Sequence, residues 1–134
     1  MRIIKVNPGS LLVTEGTYLD METVRRYYML FRKRRPVDPV ILVQEPSNSH
    51  YYLADGNHIS YAALLAKKIE INGKLLETDN DIRNYDLGKT KKFGTLDELL
   101  EYCRRQHITS NEFGLITISD YAFLYYMRPN WNSQ

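Results

Sequence analysis

The residues best suited to chemistry fall in one run, Tyr51-Tyr52-Leu53-Ala54-Asp55-Gly56-Asn57-His58-Ile59-Ser60-Tyr61-Ala62. Its first half reads as a strand. Its second half has helical spacing, with Ile59, Ala62, Ala63 and Ala66 on one face. A strand that ends in Asp-Gly and passes at once into a helix leaves the first-turn N–H groups without intrahelical acceptors. Those groups and the positive end of the helix dipole make an anion site. Glycine lets the backbone turn tightly and lets a ligand come close. Gly56 and Asn57 would form the cradle, and His58 and Ser60 would add donors to a bound phosphate. Asp55 suits three tasks: holding a metal, orienting His58, or capping the helix. The last is sufficient by itself, because Asp is a preferred N-cap.

A second feature is charge. Arg25, Arg26, Arg32, Lys33, Arg34 and Arg35 place six cations within eleven residues, with smaller clusters at Lys89, Lys91, Lys92 and at Arg104, Arg105. Arg25, Arg26, Arg32 and Lys33 are the candidates for a nucleic-acid contact, since clustered cations attract phosphate. The competing explanation is a solvated helix face whose terminal cations complement the dipole. The net charge is only +2, so the whole chain is not a polycation.

The elements that must position these residues can be read in order. Residues 2 to 6 form a first strand, followed by the turn signal Asn7-Pro8-Gly9. Leu11, Leu12 and Val13 lead into a loop. Asp20 is the N-cap of a first helix, with Glu22 in its first turn. Val24, Tyr27, Tyr28 and Phe31 form its buried face, and Pro36 ends it. Pro39-Val40-Ile41-Leu42-Val43 is a buried strand, and Tyr51–Ala54 returns from a turn at 46–49. Asn72-Gly73, between apolar runs, signals a hairpin. The polar stretch 78–93 suggests no element. Thr95-Leu96-Asp97-Glu98 is a capping box, opening a helix with Leu96, Leu99, Leu100 and Cys103 inward. Residues 113–118 read as a strand, 120–127 as a short helix or continued strand, and 130–134 as a loose tail. The expected architecture is a single α+β domain over 1–129, with a small mixed sheet and about three helices around it.

Composition bounds the remaining classes. The chain has 134 residues and 43% apolar content, enough for one core. No apolar run is long enough to span a bilayer. The N-terminal apolar stretch is too short for a signal peptide, and the lone Cys103 permits no intrachain disulfide. These features favour the cytoplasm and no membrane partner. His50 and His107 lack ligands at metal spacing. His50 reads as a turn residue and His107 as a cation at a helix C-terminus.

Asp55-Gly56-Asn57-His58-Ile59-Ser60-Tyr61-Ala62 resembles the Asp-Gly-x-His-Arg-x-x-Ala turn of the ParB/sulfiredoxin superfamily. The upstream context is similar too. Leu12-Val13-Thr14-Glu15 resembles the family's loop, and a helix and a Pro-led apolar strand follow, so the resemblance covers residues 1 to 77. It implies a ParB/sulfiredoxin-like fold, a nucleotide such as ATP or CTP with magnesium, and a link to DNA. Two positions depart from the pattern. The phosphate-contacting arginine is Ile59 here; a charge-assisted contact is worth roughly 1.5–3 kcal/mol, so its loss weakens the site at least about tenfold. The sulfiredoxin nucleophile, a cysteine, is Asn57, which excludes that chemistry. Some ParB-like small-molecule kinases carry an acidic residue at the place of Glu15. By that likeness Glu15 would be a general base, with Asp55 and His58 completing a catalytic set. Three readings therefore stand side by side: a nucleotide- or phosphate-binding domain linked to DNA, a phosphotransferase or nuclease, and a non-catalytic scaffold.

Overall fold

A computed structural model describes residues 2–14, 19–85, 93–107, 109–110, 114–115 and 117–120. The chain begins with β1 (Arg2–Val6). The 3₁₀ turn Pro8–Ser10 follows, its first turn capped by the Asn7 side chain, which accepts from the Gly9 N–H. Next come α1 (Met21–Arg32), β2 (Val40–Gln44), β3 (Tyr51–Asp55), α2 (Asn57–Leu65) and β4 (Ile71–Leu75). Then follow α3 (Asp79–Arg83), α4 (Leu96–Gln106) and a small pair, β5 (Thr109–Ser110) and β6 (Gly114–Leu115). This is an α+β fold built on one four-stranded mixed sheet of order β1-β4-β2-β3. β1 runs antiparallel to β4, β4 parallel to β2, and β2 antiparallel to β3.

The sheet lies between two helical layers, and strand alternation explains why. Val40 and Leu42 of β2, Leu53 of β3 and Ile71 and Leu75 of β4 face α1 and α2, and share a core with Val24, Tyr28, Ile59, Ala62 and Ala63. Ile41 and Val43 of β2 and Tyr52 of β3 face the other way, toward Ile82 of α3 and Leu99, Leu100 and Cys103 of α4. α2 is buried nearly all round because it is wedged between the sheet and α1; Ser60 and Tyr61 are buried along with the expected apolar face. None of the described helices is long and apolar enough to cross a membrane.

The N-caps fall where expected. Asp20 accepts from the Glu22 N–H, and Thr95 from the Glu98 N–H. The Thr95 box is only half formed, because Glu98 reaches past it to the Gly94 N–H. Three expectations need correction. First, Pro36 does not stop α1. The helix ends at Arg32, with Arg34 left-handed (φ 55), and the N–H groups of Arg34 and Arg35 return to the carbonyls of Phe31 and Leu30. This paired return is a Schellman cap. The same cap ends α2, with Lys67 left-handed (φ 59) and the N–H groups of Lys67 and Lys68 returning to Leu64 and Ala63. Second, Asn72-Gly73 makes no hairpin. It lies in the middle of β4, an interior strand, where a Cβ on Gly73 would stand 2.4 Å from Leu42 Cδ1. The glycine serves that close packing, not a turn. Third, the polar stretch does contain a helix. Thr78 and Asp81 form the reciprocal capping box that opens α3.

Residues 11–13 are more than a loop. They are buried, and Leu12 lies along the outer side of β3, its N–H donating to Tyr51 O (2.9 Å) and its carbonyl accepting from the Leu53 N–H (3.1 Å). The strand expected over 113–118 appears in part as β6, with Ile118 in the core. The readings placed on 121–127 and on the tail at 130–134 lie outside the described residues.

Candidate functional site

β3 ends at Asp55, Gly56 turns the chain, and α2 starts at Asn57, as the sequence predicts. Gly56 is the N-cap, with φ 112, a conformation that side chains rarely adopt. A Cβ there would lie 2.6 Å from Val40 Cγ1 and 2.9 Å from Val40 Cβ. Glycine is thus required twice, by backbone angle and by the neighbouring strand. The Gly56 cap supplies no side-chain hydrogen bond, and the first intrahelical bond is Ser60 N–H to Gly56 O at 2.9 Å. The N–H groups of Asn57, His58 and Ile59 therefore precede the helical ladder.

The start of α1 meets the start of α2. The Asp20 N–H donates to Nε2 of His58 at 3.0 Å. Asp20 itself accepts from the Glu22 N–H (3.1 Å) and the Thr23 hydroxyl (2.7 Å). The Thr23 hydroxyl is the main cause that holds the Asp20 carboxyl below its ordinary value, and the Glu22 N–H adds to it. Beside this junction lies a cleft of about 240 Å³. α1 contributes Thr23 and Tyr27, the approach to β2 contributes Asp38 and Pro39, and the turn contributes Asp55, Gly56, His58 and Ile59; Ile41 and Tyr85 complete it. The positive end of α2 thus opens at a cleft whose lining includes Asp38 and Asp55, while the start of α1 beside it is capped by the Asp20 carboxylate.

Among the candidates drawn from the sequence, the structure brings together Asp55, Gly56 and His58. Asn57 opens the helix beside them, and its Oδ1 is buried without a hydrogen-bond partner. Ser60 is not with them: it is fully buried on α2, and its hydroxyl also lacks a partner. Ile59 is 8% exposed and forms part of the cleft wall. Glu15 lies outside the described residues. The α1 cations stand apart from the cleft. Arg25 and Arg26 border a separate groove with Glu22, Met29 and Leu30, and Arg26 donates to Thr23 Oγ1 (3.2 Å). Arg32 lies over the Tyr28 ring, 5.9 Å from its centroid, and Lys33 is the helix C-cap.

Asp38, Tyr27 and Tyr85 were not foreseen as cleft residues. Asp38 had a usable signal, since it sits between two prolines in the segment leading into β2, whose first residue touches Gly56. A second unforeseen cluster centres on Glu45. This carboxylate is buried and accepts from Arg104 at 2.7 Å through each of two nitrogens, from the Tyr52 hydroxyl at 2.8 Å, and from the Ser47 N–H and hydroxyl. Chiefly through Arg104, its pKa falls from 4.5 to about 2. Burial, then the Glu45 carboxylate, push the Tyr52 phenol up to about 12. Every Glu45 contact is internal, so the cluster ties α4 to the β2–β3 turn. His107 is the C-cap of α4, at the helix C-terminus as expected, and its ring is held against the sheet: its Nδ1 lies 2.8 Å from Val13 O and its ring meets the Tyr52 ring edge-on.

No group of three or more His, Cys, Asp or Glu among the described residues is placed to hold a metal by itself. Asp38 and Asp55 suit a different arrangement, because magnesium is commonly held by one or two carboxylates together with a ligand's phosphates. No protein-family model matches the chain, and no curated protein matches its sequence.

Proposed function

We propose that this domain binds a nucleotide or another phosphate ligand at the Gly56 turn, in the manner of a divergent ParB/sulfiredoxin-like domain. The observation that carries the reading is the uncapped start of α2, which opens beside the start of α1 on the cleft holding Asp38, Asp55 and His58. Phosphate oxygens would accept from the amides of residues 57 to 59 and from His58. A magnesium ion would be held between the phosphates and the two carboxylates, offsetting the repulsion between them. Ile59 in the cleft wall supplies no cation, so the affinity is expected to be modest.

The test is a thermal-shift panel of ATP, CTP, GTP and UTP with and without magnesium, followed by calorimetric titration of a triphosphate. Ile59→Arg should tighten binding about tenfold, the reach of one charge-assisted contact, and His58→Ala should weaken it. If the wild type binds nothing and folded Ile59→Arg gains nothing, the turn is not a nucleotide pocket.

Asp38 and Asp55 in the lining of one cleft suit a second reading, a metal-dependent phosphotransferase or nuclease acting through Asp55 and His58. A magnesium-dependent activity abolished by Asp55→Ala would select it. Coupling to DNA through α1 would rest on Arg25, Arg26, Arg32 and Lys33; Arg26 and Arg32 also make contacts within the helix that leave other guanidinium donors free.

A further inference from the structure

We propose that the outer edge of β1 takes up an extended acidic segment of another protein as an additional strand. The two edges of the sheet differ. The β3 edge is closed by Leu12, whose N–H and carbonyl bond to Tyr51 and Leu53. The β1 edge pairs with β4 on one side, and no described residue pairs with its other side. Alternate residues of this five-residue strand therefore present outward N–H and C=O groups, which is a template for strand addition.

Side chains at this edge select the occupant. Ile4 and Val6 turn toward the helical layer of α1 and α2, so Ile3 and Lys5 turn to the other face. α3 and α4 cover only the β2–β3 half of that face. Ile3 is consequently 53% exposed, with Lys74 directly across from it on β4 and Lys5 two residues along. Arg2 is neutralised by Glu77 through two contacts of 3.0 Å. Neither Lys5 nor Lys74 has an ion-pair partner among the described residues. A face that carries two unmatched cations suits a strand whose acidic side chains fall on that face, while its alternate, apolar side chains lie on the side of Ile4 and Val6. Edge lysines also block pairing of like edges: a second copy of β1 would add its own Lys5 to an edge that already carries Lys5 and Lys74. The occupant is accordingly acidic and not a second copy. The proposal is independent of the Gly56 cleft, and its test uses no nucleotide.

The probe is a short fluorescein-labelled peptide alternating glutamate with valine, followed by anisotropy, with a lysine–valine peptide as control. The full chain should bind the glutamate peptide and not the lysine peptide, with affinity falling as salt rises. Lys5→Glu combined with Lys74→Glu, checked for an unchanged circular dichroism spectrum, should lower that affinity at least about tenfold and admit the lysine peptide. N-methylation of alternate peptide amides should abolish binding, because strand addition needs those donors. Failure of the wild type to bind the glutamate peptide, indifference to the charge reversal, or full tolerance of N-methylation would each overturn the proposal.

Discussion

The backbone N–H of Asp20 points at Nε2 of His58, 3.0 Å away, and so fixes which imidazole nitrogen carries the proton. An N–H can only donate, so Nε2 must present its lone pair and the neutral ring must carry hydrogen on Nδ1. Any hydrogen bond that His58 gives to a ligand then comes from Nδ1, and an imidazolium would have to break the link between α1 and α2. Nitrogen-resolved NMR at neutral pH should show a protonated Nδ1 and a bare Nε2 at His58. A ring protonated on Nε2 would contradict the assignment. His58→Ala should cost about 1 kcal/mol of stability through the lost contact, apart from any effect on binding.

The Glu45 cluster makes a prediction in pH. Its carboxyl falls from 4.5 to about 2 in the folded protein, chiefly through Arg104. A depressed carboxyl contributes stability that is fully present above the unfolded value and lost as pH falls through the folded one. Denaturant melts should therefore show stability declining from about pH 4.5 downward, most steeply midway between 4.5 and about 2, and levelling off below the folded value. Glu45→Gln should flatten that decline and cost about 1–2 kcal/mol near neutrality, because it removes the charge from a pair whose Arg104 side is half-exposed and leaves the Tyr52 and Ser47 donors incompletely matched. An unchanged acid profile in Glu45→Gln would assign the acid sensitivity elsewhere.

Gly56 and Gly73 should respond differently to alanine. At Gly56 the new methyl meets the Cβ and Cα of Val40, at 2.9 and 3.2 Å, with φ at 112. At Gly73 it meets the far end of Leu42. Gly56→Ala should cost about 3 kcal/mol or more, from backbone strain plus overpacking, and Gly73→Ala about 1–2 kcal/mol. Trimming the obstacle separates the causes. Gly73→Ala should become nearly neutral in a Leu42→Ala background. Gly56→Ala should stay costly in Val40→Ala, because the dihedral remains. Equal rescue at both sites, measured by double-mutant cycles, would show that packing alone governs Gly56.

The two Schellman caps carry the opposite sign. Arg34 and Lys67 hold left-handed angles that glycine adopts without penalty. Arg34→Gly and Lys67→Gly should each stabilise the protein by about 1 kcal/mol, seen as a higher denaturant midpoint at unchanged slope. A loss of stability at either position would mean that its side chain contributes more than its dihedral costs.

Local chemistry was the legible part of this sequence. Asp20 and Thr95 cap helices because their oxygens act within a few residues, and the change of period around Gly56 marks a strand handing over to a helix. What the sequence concealed depends on partners far along the chain. Asn72-Gly73 has the composition of a hairpin turn, but the need for glycine there comes from Leu42 on a neighbouring strand. Glu45, followed by Pro46 and a polar turn, reads as solvent-exposed until Arg104, 59 residues away, is placed against it. In the candidate site the turn itself was legible, whereas Asp38, Tyr27 and Tyr85 reach the cleft only through tertiary packing. Ser60 was misjudged as a surface donor because α2 is enclosed on nearly every side.

The pairing of β1 with β4 constrains the order in which the molecule can assemble. Arg2 finds Glu77 across 75 residues of chain, whereas β2 and β3 are joined by a short turn. Closing a large loop is entropically slower to be rewarded than closing a small one. As the chain leaves a ribosome, β1 is made well before β4, the strand it pairs with, and is among the last strands of this sheet to find its neighbour. Until β4 has emerged, the side of β1 destined for β4 is as open as its outer edge, and only the charge on Arg2 and Lys5 discourages nascent chains from joining there.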